Sequence, residues 1–482
     1  MKKTVFFMIS PLFLYSSVVD FSTSLEKTLQ NNKGLKAKKL DIQKSKLDLQ
    51  EAKGYSYGSL VLNENISKTN NAGYVFGMKM TSREATFGDF GFDQFLSGMG
   101  QAMLDNNGNP SFNSFASNMS NAQVQQQLLS TQPNALNHPQ SRTNYETKLT
   151  YEMPIFTGYK LTNAAKMAQL QILANEAKYK YDEKQLGLEV LKAYNGAVAS
   201  KEFIKATQKA KEATSSFVTF AQEMFNEGLV TNIDVKQAMV YDMGVDAKMI
   251  EAQNQFELSL SYLRFLTDDK TISDVGSFYT VSIDTIKDDE IYTKRDDYNW
   301  MNYNTQTLKA KIDFDSYEKY PVVGAHLEYG YNDNSFTVLD ATDHDYYLAA
   351  VGIQYSLFDG SVTKQKEQKA KIEHKKTQHY LEYMEDGIKL EVEKNTLNLK
   401  AKQKILSQKQ KALSLSDEVL VQAYEMYKNH LINMSNLLMQ QANQQKASAE
   451  AIFAKYEESI AAATLKLSQG ESLQTQQQGT IK

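Results

Sequence analysis

A chain of 482 residues, 41% hydrophobic and 23% charged, can bury a core, and its length suits several domains or one long repeated plan. Its net charge of −4 leaves no basic footprint for nucleic acid. The absence of cysteine excludes a disulfide framework, thiolate metal sites and a lipid-bearing N-terminal cysteine, while only 6 prolines permit long uninterrupted helices.

The first elements read as an export signal over residues 1–19. Lys2 and Lys3 form a short positive region, an apolar stretch runs from Val5 to Tyr15, and Ser16 to Val19 hold the cleavage site. No other segment has the run of about eighteen apolar residues that a membrane-spanning helix needs. An exported chain of this kind is periplasmic, secreted or an outer-membrane β-barrel.

The first repeat occupies residues 20–266. A short helix carries Leu35-Lys36-Ala37-Lys38, and strands are predicted at about 55–67 and 143–153. Between them, residues 68–142 are rich in Asn, Gln, Ser, Gly and Met and read as a large external loop with some local structure. A helical hairpin is predicted over 158–266, broken at Asn226-Glu227-Gly228-Leu229-Val230-Thr231-Asn232. Gly228 supplies a left-handed stop, and Thr231 or Asn232 caps the return helix. Residues 267–298 connect the halves. The second repeat, 299–468, has its short helix at Leu308-Lys309-Ala310-Lys311, strands at about 321–331 and 346–356, and a hairpin over 360–468 broken around His430. The Gln-rich residues 469–482 read as a disordered tail.

The two halves keep step. Ile155-Phe156-Thr157-Gly158 matches Leu357-Phe358-Asp359-Gly360 at an offset of 202 (Phe156 to Phe358), and Glu223-Met224-Phe225 matches Glu425-Met426-Tyr427 at the same offset. Equal spacing without a gap implies that helix length itself is constrained. In the first long helix Leu161, Ala165, Ala168, Ile172, Tyr179, Leu186, Val190, Ala193, Ala197 and Ile204 recur in heptad steps, the pattern of coiled-coil packing.

The strands alternate. Tyr145, Thr147, Leu149, Tyr151 and Met153 oppose Glu146, Lys148, Thr150 and Glu152. Val323, Ala325, Leu327, Tyr329 and Tyr331 form one face of the third strand, and Tyr347, Ala349, Val351, Ile353 and Tyr355 one face of the fourth. Alternation alone also fits a half-buried sheet in a soluble domain. The attached hairpins and the export signal favour lipid-facing positions at Leu149, Tyr151, Leu327, Tyr329, Val351 and Ile353. Four strands cannot close a barrel, and an open edge in lipid leaves backbone groups unpaired, so copies must associate. Three copies give twelve strands and two give eight; the strands themselves do not choose.

Met153-Pro154-Ile155-Phe156-Thr157-Gly158 and Ser356-Leu357-Phe358-Asp359-Gly360, each opening a long helix, resemble marks of the TolC-like outer-membrane efflux protein family. So do the tip Asn226 to Asp234 and the stretch Gly73-Tyr74-Val75-Phe76-Gly77-Met78-Lys79-Met80, similar to one in the external loop of some members. The duplicated order of helix, strand, strand, long helix, tip and helix covers nearly the whole mature chain. The resemblance implies a mainly α fold with a small β part. In that fold a homotrimer forms a 12-stranded outer-membrane barrel above an α-helical barrel that extends through the periplasm. It implies an exit duct for a tripartite efflux pump or type I secretion system, set in outer-membrane lipid and partnered by a periplasmic adaptor and an inner-membrane pump that supplies the energy. The tips, with Gly228, Leu229, Val230 and Asp234 on one and His430, Leu431, Asn433 and Asn436 on the other, correspond to the adaptor-docking, pore-closing end. Many members narrow that end with carboxylates from the second hairpin. Here residues 433–445 contain no Asp or Glu, and Asp234 and Glu227 lie on the first hairpin instead, so an Asn/Gln-lined or Met434-lined constriction stands beside an acidic ring as an equal alternative, and Asp234 reads first as a helix cap.

No phosphate-cradling glycine loop or Cys/His metal pattern is present, so no catalytic, cofactor or metal residue is assigned and the chain is not read as an enzyme. Asp340, Asp343, His344 and Asp345 cluster on an external loop and read as a solvated turn before a weak cation site. Two rival classes are a periplasmic coiled-coil scaffold or adaptor without a membrane barrel, and an exported enzyme on an α/β scaffold, against which the long heptads and missing catalytic groups argue.

Overall fold

The computed structural model describes residues 17–283, 291–336 and 343–473. Residues 1–16 of the expected export signal, 474–482 of the expected tail, and Asp340 lie outside the described residues. In chain order the elements are β1 (Ser17–Val19), α1 (Phe21–Asn31), α2 (Lys33–Gly54), β2 (Ser59–Thr69), the short helices α3 (Ala72–Thr81), α4 (Phe92–Ala102), α5 (Phe112–Ser120), α6 (Ala122–Leu129) and α7 (Asn134–Asn137), then β3 (Arg142–Thr157), α8 (Lys160–Asn226) and α9 (Asn232–Thr267). They continue with β4 (Ile272–Val275), α10 (Asp296–Asp315), β5 (Val322–Asp333), β6 (Asp345–Gln354), α11 (Val362–Lys428) and α12 (Met434–Ser468).

The duplication holds to the residue. Helices α8 and α11 are each 67 residues long, about 100 Å at 1.5 Å per residue. Each begins after two consecutive left-handed residues: Gly158 and Tyr159 at φ 61° and 66°, then Gly360 and Ser361 at φ 66° and 65°. At Gly158 a side chain would collide with the carbonyl oxygen of Tyr317, so glycine is needed there for space as well as for conformation.

The chain divides into two compact units. The first comprises residues 1–48, 166–310 and 369–482. One of its cores gathers Val19, Phe21, Leu25, Val190, Leu191, Tyr194, Leu260, Leu263, Ile272, Val275 and Ala463. Of the expected heptad positions, Ile172, Val190, Ala193 and Ala197 are buried and the others are half-buried. The connecting segment is fixed to α8 by buried polar groups. The Asn195 amide donates to the Tyr279 carbonyl and accepts from the Tyr279 N–H, both at 3.0 Å, and the Tyr194 hydroxyl donates to the Ser277 carbonyl at 3.1 Å. Such reciprocal pairing is what a fully buried amide requires.

Two stretches at the margins of the described residues, 17–19 and 469–473, differ from the sequence expectation. Ser17–Val19, placed inside the export signal, forms a strand parallel to Ile272–Val275 with Val19 buried. Residues 469–473, placed in a disordered tail, are held: Leu473 enters the core, and the Gly470 carbonyl accepts from Lys184 Nζ at 2.6 Å. Both differences arise from partners distant in sequence.

The second unit comprises residues 49–165 and 311–368. Its sheet has the order β2-β3-β5-β6, every pair antiparallel. Residues 55–57, expected to open a strand, form a 3-10 turn, and β2 runs on to Thr69. β3 continues past Met153 through Pro154 to Thr157, with the register shifting between Pro154 and Phe156, because proline donates no ladder hydrogen bond. The expected loop 68–142 carries five short helices. Asn71, Ser111 and Asn121 cap three of them by accepting hydrogen bonds from Tyr74, Ser114 and Gln123 N–H groups.

Candidate functional site

The sheet of the second unit separates its side chains by chemistry. Cross-strand register pairs Leu60 with Tyr151, Leu62 with Leu149, Leu149 with Tyr329, Tyr151 with Leu327, Leu327 with Ala349 and Ala325 with Val351, so all of these share one face. Leu149, Leu327, Tyr329, Val351 and Ile353 are exposed there, the last two at 67% and 73%, and Tyr151 is half-exposed. The six residues expected to meet lipid therefore lie on one continuous apolar surface.

The opposite face is polar and interconnected. His326 lies 3.6 Å from Glu152 and 3.6 Å from Glu328. The Tyr346 hydroxyl donates to Glu328 at 2.9 Å, and the Tyr346 ring lies across Gly330, where a side chain would obstruct it. Glu146 accepts from Asn65 at 3.2 Å and pairs with Lys148 at 3.5 Å. Alternation along β3 put Glu146, Lys148 and Glu152 opposite the apolar face, but the grouping of these residues with those of other strands depends on register, which a single strand does not reveal.

The tips lie in the first unit. After α8 the chain turns at Gly228, φ 77°, and the Leu229 N–H donates to the Met224 carbonyl at 2.8 Å. After α11 it turns at His430, φ 60°, and the Leu431 N–H donates to the Met426 carbonyl at 2.9 Å. Asp234 is a cap: one carboxylate oxygen accepts from Thr231 N–H at 3.0 Å and from its hydroxyl at 2.7 Å. Asn433 caps α12 by accepting from Asn436 N–H at 2.9 Å. Leu229 and Leu431 point outward, whereas Val230 packs against the core beneath.

That core removes Met434 from the alternatives for a constriction. Its side chain is 0% exposed, enclosed with Phe217, Ala221, Met224, Val235, Tyr427 and Leu437, and so lines no opening. Phe217 stacks on Tyr424 at 5.5 Å, and burial raises the Tyr427 hydroxyl to about 12, with Asp234 adding to the shift. Farther along the first hairpin, Lys211 on α8 bridges Asp242 at 2.8 Å and Asp246 at 2.6 Å on α9, while Thr214 donates to Asp242 at 2.6 Å. Burial opposes ionisation of Asp242, but the Lys211 and Thr214 bonds outweigh it and hold the carboxyl below its ordinary value. No local pattern marked this triad.

Of the expected external cluster, Asp345 and His344 face different partners. Asp345 lies 4.0 Å from Arg83 and accepts from the Tyr329 hydroxyl at 3.3 Å, while His344 turns toward Glu84 and Asp333. Among the described residues, no helix is long and apolar enough to cross a membrane.

A family model described as outer membrane efflux protein matches residues 107–267. No curated protein matches the sequence. Among solved structures the chain resembles CusC, described through the conformational changes that accompany its folding and transmembrane channel formation, at 12% identity and a TM-score of 0.74, covering 94% of this chain and 93% of that one. It also resembles the outer membrane protein VceC of Vibrio cholerae, at 12% identity and a TM-score of 0.71 over 94% and 96% of the two chains. The open-state MtrE outer membrane channel of Neisseria gonorrhoeae is similar at 13% identity and a TM-score of 0.71 over 94% and 89%. At such identities the likeness is one of fold. By sequence over residues 107–267 the chain resembles the outer membrane efflux protein family, and over nearly its whole length it shares the fold of the solved CusC and VceC structures.

Proposed function

We propose that this chain is one third of an outer-membrane exit duct. Three copies close a 12-stranded barrel in lipid, the paired hairpins form a helical tunnel in the periplasm, and substrates pass from an inner-membrane pump and its adaptor to the exterior. The observation that carries this reading is the four-stranded sheet, with its exposed apolar face and no strand beyond β2 or β6 among the described residues. In hydrocarbon, unpaired strand edges cost several kcal/mol per group, so further copies are the natural partners.

The helices support the same assembly. Val240, Met243, Ile250, Leu258 and Phe265 are exposed along α9 at near-heptad spacing, as are Tyr383, Leu390 and Leu397 along α11. Stripes of this kind suit neighbouring copies in a coiled-coil wall. Leu229 and Leu431, projecting from matched tips, suit an adaptor's apolar contacts. The chain itself catalyses no reaction in this reading, and the pump supplies the energy. The strand at Ser17–Val19 favours an export signal that ends at or before residue 16.

The test is the mass of the detergent-purified, full-length mature protein, by light scattering with detergent correction. A trimer supports the duct. A monomer that remains soluble without detergent overturns it and favours a periplasmic scaffold.

A further inference from the structure

At the sheet end opposite the entry into α8, three segments meet. Glu84 follows α3, Asp333 ends β5 and His344 precedes β6, and one ligand atom from each lies within 4.8 Å of the others. His344 Nδ1 is buried and, among the described residues, has no hydrogen-bond partner, although its ring is oriented by the Tyr331 ring at 6.0 Å and its carbonyl accepts from Asn332 N–H at 3.2 Å. A buried imidazole nitrogen without a partner is a costly arrangement unless it meets a ligand. Asp333 is buried and well oriented: it accepts from the Tyr331 hydroxyl at 3.0 Å, from Ser335 at 3.2 Å and from the Asn334 N–H at 2.5 Å. Glu84 accepts from Ser82 at 2.9 Å and pairs with Arg142.

We propose that Glu84, Asp333 and His344 bind a divalent transition cation of the zinc class, which staples the helical insert 72–137 to the β5–β6 hairpin. One imidazole and two carboxylates suit a borderline cation better than calcium or magnesium, which prefer all-oxygen shells. Arg142 offsets one of the two carboxylate charges, leaving a net negative pocket for a dication. Ligand atoms on tetrahedral zinc stand about 3.4 Å apart, given bonds of about 2.1 Å, so side-chain rotations of about 1 Å complete the shell, with water as the fourth ligand. The hydrogen bonds to Asp333 and Glu84 are the outer contacts that orient metal-binding carboxylates.

The test uses the tag-free full chain in detergent, stripped with chelator and titrated with Zn2+ by calorimetry. One zinc per protomer is expected, with affinity falling at least tenfold in His344→Ala and Asp333→Asn and unchanged in His379→Ala, a histidine on α11. Zinc should also slow proteolysis within 72–137 in the unaltered chain but not in His344→Ala. Should the variants misassemble, Co2+ added to the unaltered chain decides: visible absorption of a tetrahedral nitrogen–oxygen site supports the proposal, and its absence overturns it. Zinc bound equally by His344→Ala and the unaltered chain likewise overturns it.

Discussion

Gly228 and His430 stand 202 positions apart and perform the same turn, both left-handed, each followed by an N–H that reaches back five residues to a helical carbonyl. One repeat fills this position with the residue that adopts the conformation freely, and the other with a residue that does not.

Substitution at the two positions should therefore shift stability in opposite directions. Gly228→Ala, with open space around its Cβ, should cost about 1 kcal/mol from conformation alone, and His430→Gly should gain a similar amount. Thermal melting of the helical signal checks both signs, and a stabilised Gly228→Ala protein would refute the conformational argument.

Asp234 should behave as a cap. Asp234→Ala is expected to lower stability by about 1 kcal/mol, with Asp234→Asn retaining most of it. Single-channel recordings should show the same ion selectivity in both variants as in the unaltered chain. A large loss of selectivity in Asp234→Asn would instead place the carboxylate in the pore.

The Lys211–Asp242 contact sets an acid dependence. Because the folded Asp242 carboxyl titrates below its ordinary value, its contribution is complete above about pH 4 and disappears as pH falls through the lowered folded value. Asp242→Asn should cost about 1 kcal/mol at pH 7 and flatten the fall of melting temperature below pH 4. An unchanged acid profile in the variant would remove this triad from the account.

Charge on the apolar sheet face should block membrane assembly. Arginine at Leu149, Leu327 or Val351 is expected to cost about 2–4 kcal/mol each near the bilayer midplane, and the triple variant should fail to reach the outer-membrane fraction. Fractionation with a heat-modifiability gel measures this. Normal assembly of the triple variant would reverse the facing of the sheet.

The exported chain should begin at or before Ser17, since β1 uses Ser17–Val19. Intact mass of the mature protein reads the boundary directly, and a chain starting at Asp20 would show that this strand is dispensable.

Much of this architecture is local and was legible in order. The heptads of α8, the alternation around Leu149 and Val351, the stop at Gly228 and the cap at Asp234 each follow from residues a few positions apart, and the 202-residue repeat follows from matching two such stretches without any knowledge of the fold. What the sequence left open depends on partners far along the chain. Pairing of Val19 with Val275, capture of Leu473 by the core and enclosure of Met434 required the fold to bring distant segments together. The polar clustering of His326 with Glu152 and Glu328 required strand register, and the meeting of Glu84 with Asp333 and His344 required the insert to fold back on the sheet. Periodicity states which face of an element is apolar, because side-chain direction repeats with the backbone. It cannot state what that face meets, because the partner is selected by the free energy of the whole packed chain.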